Sequence, residues 1–330
     1  MAGRGSRLRP HTLTTPKPLI PVGGKPIVHR LVEDIAAVCN EPIEEIGFVI
    51  GDFGEAVEKE LIQVAEKLGA KGHIFHQTEP LGTAHAVLCA EPLLSGKVVV
   101  AFADTLFKAN FKMEDDVDGV LWVKQIDDPS AFGVVKMNEK KEIIDFVEKP
   151  KTFVSDLAMI GIYYFKQGEE LKEELNFLID NKVVKGGEYQ LPDALRRMTE
   201  KGTKFKPGEV SEWLDCGNKT VTVYTNQRVL EYDRERGVQN VSKTANIVGS
   251  VIIPPCFIGE NASISNSVIG PHVSLGANCK VKNSVISNSL IQSNTHIEFS
   301  NLKGSMIGNE CQVIGKARDL SIGDYSILNE

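Results

Sequence analysis

The sequence predicts an α/β domain over residues 1–240, followed by a three-sided coil of short parallel strands over residues 245–330. Three observations predict it. The 330 residues exceed the ~100–200 that one domain usually takes. From residue 26 to about residue 236, strand-like and helix-like runs alternate, the order that produces a mostly parallel sheet with helices on both faces. After about residue 245 the helical signal ends, and single aliphatic residues recur every five or six positions with Gly, Asn and Ser between them.

Taken in chain order, the first helix starts at Pro26, since proline suits a first helical turn, and it sets Ile27, Leu31, Val32 and Ile35 on one face. Residues 46–50 and 97–102 are short continuous apolar runs, the composition of strands buried on both faces. Between them a second helix, over about residues 54–68, buries Val57, Leu61, Val64 and Leu68 and stops at Gly69, a good left-handed cap. The later runs GVLWVK, GVVKM, IIDFV and MIGIYYF are richer in strand and predict an inserted mixed-sheet layer that walls one side of a pocket. In the last part, three steps of the repeat carry Ile252 to Ile269 and then to Ile286, so seventeen residues make one turn. One aliphatic side chain per side stacks on the next turn's to fill a narrow prism, and Gly or Asn takes the corners.

Composition narrows the class of function. Hydrophobic residues at 42% and charged residues at 25% match an ordinary folded protein. A net charge of −7 argues against nucleic acid or an anionic membrane as partner, because either needs surplus Lys and Arg. Six cysteines form no C-x-x-C pair and no His cluster, which predicts reduced thiols in the cytoplasm rather than disulfides or zinc. No apolar run approaches the ~20 residues of a membrane span, and the amino-terminal region has no signal-peptide core.

Against this acidic background the first thirty-two residues hold Arg4, Arg7, Arg9, Lys17, Lys25 and Arg30 and no Asp or Glu. That is a local anion site. Gly3 and Gly5 lie among these cations, where glycine lets backbone N–H groups approach phosphate oxygens. Taken alone the two glycines read better as a plain surface turn.

The longer run GRGSRLRPHTLTTPKPLIPVGGKP (residues 3–26) resembles the signature of the sugar-nucleotide pyrophosphorylases, the sugar-phosphate nucleotidylyltransferase family, with G-x-G-x-R-L, P-x-T, P-K-P-L and G-K-P in turn. HQTEPLGTAHA, FADTLF, FGVV, VEKP, IGIYYF and WLDCGN follow in the family's order. The resemblance implies a Rossmann-like nucleotidyltransferase domain, with a mixed sheet of the GT-A type, followed by a left-handed parallel β-helix. The resemblance is in kind to the long, glucose-1-phosphate thymidylyltransferase-like form. It also implies the reaction of a nucleoside triphosphate with a sugar 1-phosphate to give a nucleotide sugar and pyrophosphate.

By the same resemblance Ala2, Gly3, Gly5 and Ser6 hold the nucleotide phosphates, and Gln77, Gly82 and Thr83 read the base and ribose. Arg7 and Lys17 bear on the triphosphate and the reacting phosphorus. Gly133, Glu148, Gly161 and Tyr163 surround the sugar, and Lys149 grips its phosphate. Asp104 and Asp215 hold Mg2+, a hard cation that keeps waters and shares its other positions with phosphates. Asp104 lies just past an apolar run, where a strand's carboxyl end meets ligands in open α/β sheets. Read without the family, Thr83 caps a helix, Asp104 is a turn residue and Glu148 with Lys149 is a solvated pair. Arg4 and Arg9 read as solvated surface. In GGEYQLPDAL, Asp193 and Gln190 are weaker candidates for substrate contact, since caps and surface polarity explain them equally well.

Family members open with a short apolar strand that leads into the glycine loop, and this sequence starts within the loop. The expectation is a missing first strand of about six to eight residues, from a late start codon or a trimmed sequence. Thymidylyl or uridylyl transfer from dTTP or UTP to glucose 1-phosphate is the expected activity, with guanylyl transfer to mannose 1-phosphate and a non-catalytic regulatory subunit as alternatives. The repeats, some five coils long, are too short for an added acetyl transfer and suit a homo-oligomer instead.

Overall fold

The computed structural model describes residues 1, 3, 5–109, 117–317, 321–323 and 325–327. They form two compact units, Met1–Ile20 with Lys25–Asn218, and Pro21–Gly24 with Lys219–Glu330.

The first unit contains α1 (Ile27–Val38), β1 (Glu45–Ile50), α2 (Glu55–Lys67), β2 (Lys71–His76), α3 (Thr83–Leu88), β3 (Val98–Ala101) and β4 (Thr105–Lys108). It continues with β5 (Gly119–Gln125), β6 (Gly133–Met137), β7 (Ile143–Glu148), β8 (Leu157–Phe165), α4 (Gly168–Asp180), α5 (Leu191–Glu200), β9 (Phe205–Glu209) and β10 (Glu212–Asp215). Both predicted early helices form. Pro26 stands just outside α1, whose buried face carries Ile27, Leu31, Val32 and Ile35. In α2, Glu55 and Glu58 sit in the first turn and Lys67 in the last, the polarity that the helix dipole favours. Gly69, in the left-handed conformation, ends it.

Six strands make the main sheet, in the order β3-β8-β5-β9-β7-β6, with β8 also touching β6. The sheet is mixed rather than mostly parallel: β8 runs antiparallel to β3 and β5, while β9 is parallel to β5. Nor do the later runs form a separate inserted layer. β5 and β8 lie inside the main sheet, and only the β6–β7 hairpin occupies its end. The continuous burial of β8 from Ala158 to Phe165 marks an interior strand. Of the strands expected to be buried on both faces, β3 is half-covered throughout and β1 buries only Phe48 and Ile50, and among the described residues each pairs along one edge only. The core between sheet and helices centres on Phe205, which meets Phe146 and Phe165 edge-on at ring separations of 5.9 and 6.0 Å. Such a fully buried ring costs about 3–5 kcal/mol to truncate to Ala.

The second unit holds α6 (Lys219–Glu235) and the coil. Three parallel sheets form the coil's sides, one of five strands and two of four. In-register stacks run Ile247, Ile264, Val281, Ile297 and Val313 on one side and Ile252, Ile269, Ile286 and Leu302 on the next. The repeat is seventeen residues in the early turns, as predicted, and tightens by one residue in the later ones. Asn261, Asn278 and Asn294 take the left-handed conformation at successive corners, and each side-chain amide bonds the next, at 3.4 and 3.1 Å. Hydroxyls of Ser250, Ser267 and Ser284 accept from the backbone N–H of Ser267, Ser284 and Ser300 one turn on, so the turns are tied outside the apolar stack as well. Among the described residues no helix is long and apolar enough to cross a membrane.

Candidate active site

All the predicted site residues from Gly3 to Asp215 that are described belong to the first unit. Ala2 and Arg4 lie outside the described residues. The loop before α1 is a succession of short turns. Gly5 is left-handed, and its carbonyl accepts from the Leu8 N–H at 3.0 Å and from the Thr12 hydroxyl at 2.8 Å. A Cβ at Gly5 would stand 3.1 Å from Thr12 and 3.2 Å from Lys17, so the loop folds tightly on itself. Gly3, Ser6 and Arg7 are exposed along it. Thr12 is thus the anchor of this loop, a role the sequence signals only as part of P-x-T.

Lys17 opens the next turn with its side chain only 10% exposed, and its ammonium lies 2.9 Å from an Asp104 carboxylate oxygen. Asp104 follows β3, the strand end predicted to face ligand. Asp215 ends β10, which pairs antiparallel with β4 so that Asp215 stands opposite Thr105, and the Cys216 N–H donates to the Asp104 carbonyl at 2.9 Å. Two carboxylates from residues far apart in sequence are therefore neighbours across one short ribbon. Burial first, and then the charge of Asp104, hold the Asp215 carboxyl above the ordinary carboxylate range; the charges of Lys17 and Arg7 pull the other way. Asp215 thus senses the charges of Asp104, Lys17 and Arg7 together.

The sugar-side candidates meet the same place. Tyr163 on β8 is 4% exposed, and its phenol is pushed far up by burial, then by the charges of Glu148 and Asp104. Its hydroxyl stays protonated and able to donate. Gly133 pairs with Glu148 across β6 and β7, and a Cβ at Gly133 would fall 2.7 Å from the Glu148 carboxylate. The Gly161 carbonyl accepts from the Phe102 N–H at 2.9 Å, at a register shift in β8. The Lys149 N–H donates to the Phe132 carbonyl at 3.1 Å; its ammonium is mostly exposed and stands 3.6 Å from Glu148, the loose solvated pair that the residues alone suggest.

Of the residues expected to read the base, Gln77 donates to the Gly82 carbonyl at 3.1 Å and lies 3.1 Å from the His85 ring. Gly82 is required by its surroundings: its φ is +113°, and a Cβ would stand 2.4 Å from the Tyr189 carbonyl oxygen. The Thr83 hydroxyl accepts from the Leu191 N–H at 3.0 Å, so it caps α5, a helix remote in sequence, rather than its own. Asp193 is engaged by Lys185 and by Arg196 at 2.9 Å, and the Gln190 amide reaches the Lys185 carbonyl at 3.4 Å.

The amino-terminal cations do not form one cluster. Among the described ones Lys25 pairs with Glu33 at 2.7 Å, Arg30 is buried in α1 and Arg9 is exposed, while Lys17 sits on Asp104 and the charge of Arg7 reaches Asp215. The sequence reading also missed Trp213. Its ring meets Phe132 edge-on at 4.7 Å and its N–H donates to the Thr105 hydroxyl, which braces the ribbon that presents Asp215.

Two hard carboxylates side by side, one with its carboxyl pushed up by burial and then by its neighbour's charge, and an ammonium already seated on the other, suit a divalent cation. Among the described residues no set of three or more His, Cys, Asp or Glu gathers as a complete cage.

Comparison with known proteins bears on this arrangement. Residues 1–231 match the nucleotidyl transferase family model, and residues 237–297 match the GlmU-like C-terminal hexapeptide model. The bifunctional protein GlmU of Methanococcus maripaludis strain S2 is 30% identical over 255 residues, covering 76% of this chain and 58% of its own length. The chain thus spans less than two thirds of that relative. The catalytic subunit beta of mannose-1-phosphate guanylyltransferase from Drosophila melanogaster is 30% identical over 265 residues, 77% of this chain and 68% of its own. Glucose-1-phosphate thymidylyltransferase of Streptomyces griseus is 28% identical over 260 residues, 76% and 70% of the two chains. Among solved structures, the nucleoside-diphosphate-sugar pyrophosphorylase of Vibrio cholerae RC9 superposes with a TM-score of 0.59 at 22% identity, covering 69% of this chain and 98% of that one. That likeness speaks for the fold alone.

Proposed function

The chain belongs to the nucleotidyl transferase family, and from that premise we propose that it joins a nucleoside monophosphate unit to a sugar 1-phosphate. A phosphate oxygen of the sugar 1-phosphate attacks the α-phosphorus of the triphosphate, the bond from that phosphorus to the bridging oxygen breaks, and pyrophosphate leaves. One observation carries this reading: Asp215 lies within electrostatic reach of Asp104, Lys17 and Arg7 together. No protein nucleophile is needed, because the sugar phosphate is itself an anion and alignment with charge neutralisation supplies most of the rate.

Arg7 and Lys17 neutralise the triphosphate and the departing pyrophosphate, and the backbone of Gly3, Gly5 and Ser6 lies along the same phosphates. Asp104 and Asp215 hold Mg2+, which when bound neutralises charge on the phosphate oxygens. Tyr163 donates a hydrogen bond to the sugar while Glu148 accepts from its hydroxyls, in the space that Gly133 and Gly161 leave open. Lys149, exposed and only loosely paired with Glu148, reaches the sugar's phosphate. Gln77, fixed by the Gly82 carbonyl, presents its amide oxygen to the base. Thr83 acts through the placing of that segment.

For the substrates we favour dTTP or UTP with glucose 1-phosphate. The match to a mannose-1-phosphate guanylyltransferase subunit keeps guanylyl transfer as a second reading. A non-catalytic regulatory role is disfavoured by the gathering of Arg7, Lys17, Asp104 and Asp215 in one place. The coil's outward valines Val251, Val268 and Val285 stand in register, with Val251 and Val285 exposed, which supports a homo-oligomer. Purified protein, assayed for pyrophosphate release with four nucleoside triphosphates against several sugar 1-phosphates, tests the activity and selects the pair. Silence across the whole matrix with Mg2+ present would sink the enzymatic reading.

A further inference from the structure

The turn after β2 holds one side-chain amide from two directions. β2 runs parallel to β1, and the backbone N–H of Gln77, just past the carboxyl end of β2, donates to the Ile50 carbonyl at 2.8 Å. Carboxyl ends of parallel strands are where open α/β sheets meet ligands. The Gly82 carbonyl accepts from the Ala86 N–H at 3.0 Å and from the Gln77 side-chain amide at 3.1 Å. A carbonyl can only accept, so the amide atom turned towards Gly82 is the nitrogen and not the oxygen. The same nitrogen lies 3.1 Å from His85 Nδ1.

An amide nitrogen carries two hydrogens, and here one goes to Gly82. The other reaches His85 Nδ1 when that nitrogen keeps a lone pair, which makes the ring the neutral tautomer with its hydrogen on Nε2. The last torsion of a glutamine is broad and two-fold, so a single anchor leaves the amide free to turn over, whereas two anchors fix it. With both hydrogens engaged, the side chain offers a ligand only its oxygen, as an acceptor. The ring itself rides on a tied backbone. In α3 the His85 carbonyl accepts from the Cys89 N–H at 3.0 Å, and the Ala84 N–H donates to the Tyr189 carbonyl at 3.0 Å.

On the reading above that Gln77 meets the base, we propose that His85 is a positioning residue: by fixing the Gln77 amide with its oxygen outward, it selects bases that carry a hydrogen on the ring nitrogen of their pairing edge. Uracil, thymine and guanine have that N–H beside a carbonyl, and it donates to the fixed oxygen. Cytosine and adenine have a bare nitrogen there, so two lone pairs would face each other, a repulsive element against the wrong substrate. A sealed site built for such a hydrogen bond discriminates by ~10⁴-fold or more. Gln77 and His85 are half-buried, so water softens the penalty and roughly 10–100-fold is expected.

The test measures equilibrium binding of UTP, CTP, GTP and ATP to the 330-residue chain by calorimetry with Mg2+, in the parent and in His85→Leu and His85→Asn. Pairs of equal ring size isolate the edge, UTP against CTP and GTP against ATP. Leu fills the place of the ring without an acceptor, whereas Asn sets its Oδ1 near where Nδ1 stands. The parent is expected to prefer UTP or GTP within the ring size that it binds, by roughly 10–100-fold. His85→Leu should cut that ratio by about tenfold or more, and His85→Asn should restore most of it. A histidine with a merely structural role would weaken all four triphosphates alike and leave the ratio where it was, a result that overturns the proposal. So does a parent without preference or with preference for CTP or ATP, or an Asn variant with the ratio of the Leu variant. If circular dichroism shows His85→Leu unfolded, His85→Ala takes its place in the same comparison. The expected ratios without pyrophosphate release from any sugar 1-phosphate would sink the enzymatic reading alone, and a chain that binds no triphosphate sinks both.

Discussion

Replacing Asp104 by Asn separates the chemistry of the site from its stability. The Asp104 side chain is 46% exposed where it meets Lys17 at 2.9 Å, so the ion pair contributes no more than about 1 kcal/mol. Lys17 is far more buried and must keep an acceptor, which the remaining amide oxygen of Asn supplies. The substitution also removes the like charge that helps to hold the Asp215 carboxyl up, a gain that offsets part of the loss. Unfolding free energy is therefore expected to change by less than about 1 kcal/mol, in a urea titration with the metal chelated. Turnover is expected to fall by at least about 1000-fold, since one fixed group aimed at developing charge is worth ~2.7–4 kcal/mol and here a metal ligand goes with it. The assay is pyrophosphate release at saturating Mg2+. Turnover within tenfold of the parent would refute the metal assignment, and a stability loss beyond about 3 kcal/mol would show the Lys17 contact to be part of the fold rather than an exchangeable pair.

Other substitutions probe other levels. Gly82→Ala forces a Cβ against the Tyr189 carbonyl at 2.4 Å with φ at +113°; a loss of about 2–4 kcal/mol is expected in urea unfolding, and a loss below 1 kcal/mol would mean that the backbone there yields easily. The Asp215 carboxyl is raised above its ordinary value of 3.8 by burial and then by Asp104, so the stability tied to its protonated form is complete below the unfolded pKa and is lost as pH rises through the folded one. With metal chelated, Asp215→Asn should accordingly be more stable than the parent at pH 7 and level with it near pH 3, and the reverse order in urea titrations at the two pH values would contradict the burial argument. Chelator should abolish pyrophosphate release with circular dichroism unchanged, Mg2+ restoring activity, because the carboxylates sit on a ribbon held by its own backbone bonds. In the coil, Ile286→Ala empties a fully buried position and should cost about 2–5 kcal/mol, read as a lowered denaturation midpoint.

The parts legible in sequence were those with a period or a local motif. The coil announces itself because each side must contribute one aliphatic residue per turn, so Ile252, Ile269 and Ile286 recur at the distance that the register joins. α2 was legible from its apolar spacing and from Gly69. Strand order was not, because a continuous apolar run does not name a strand's neighbours: β5 and β8 are interior, whereas β3, just as apolar in sequence, is half-covered at the end of the sheet. The pairing of Asp104 with Asp215 depends on β10 returning to β4 over more than a hundred residues, which no local pattern encodes. Only the ordered family motifs pointed there. Thr83 misled for the same reason: a hydroxyl before a helix reads as that helix's cap, and its real partner, Leu191, is fixed by tertiary structure alone.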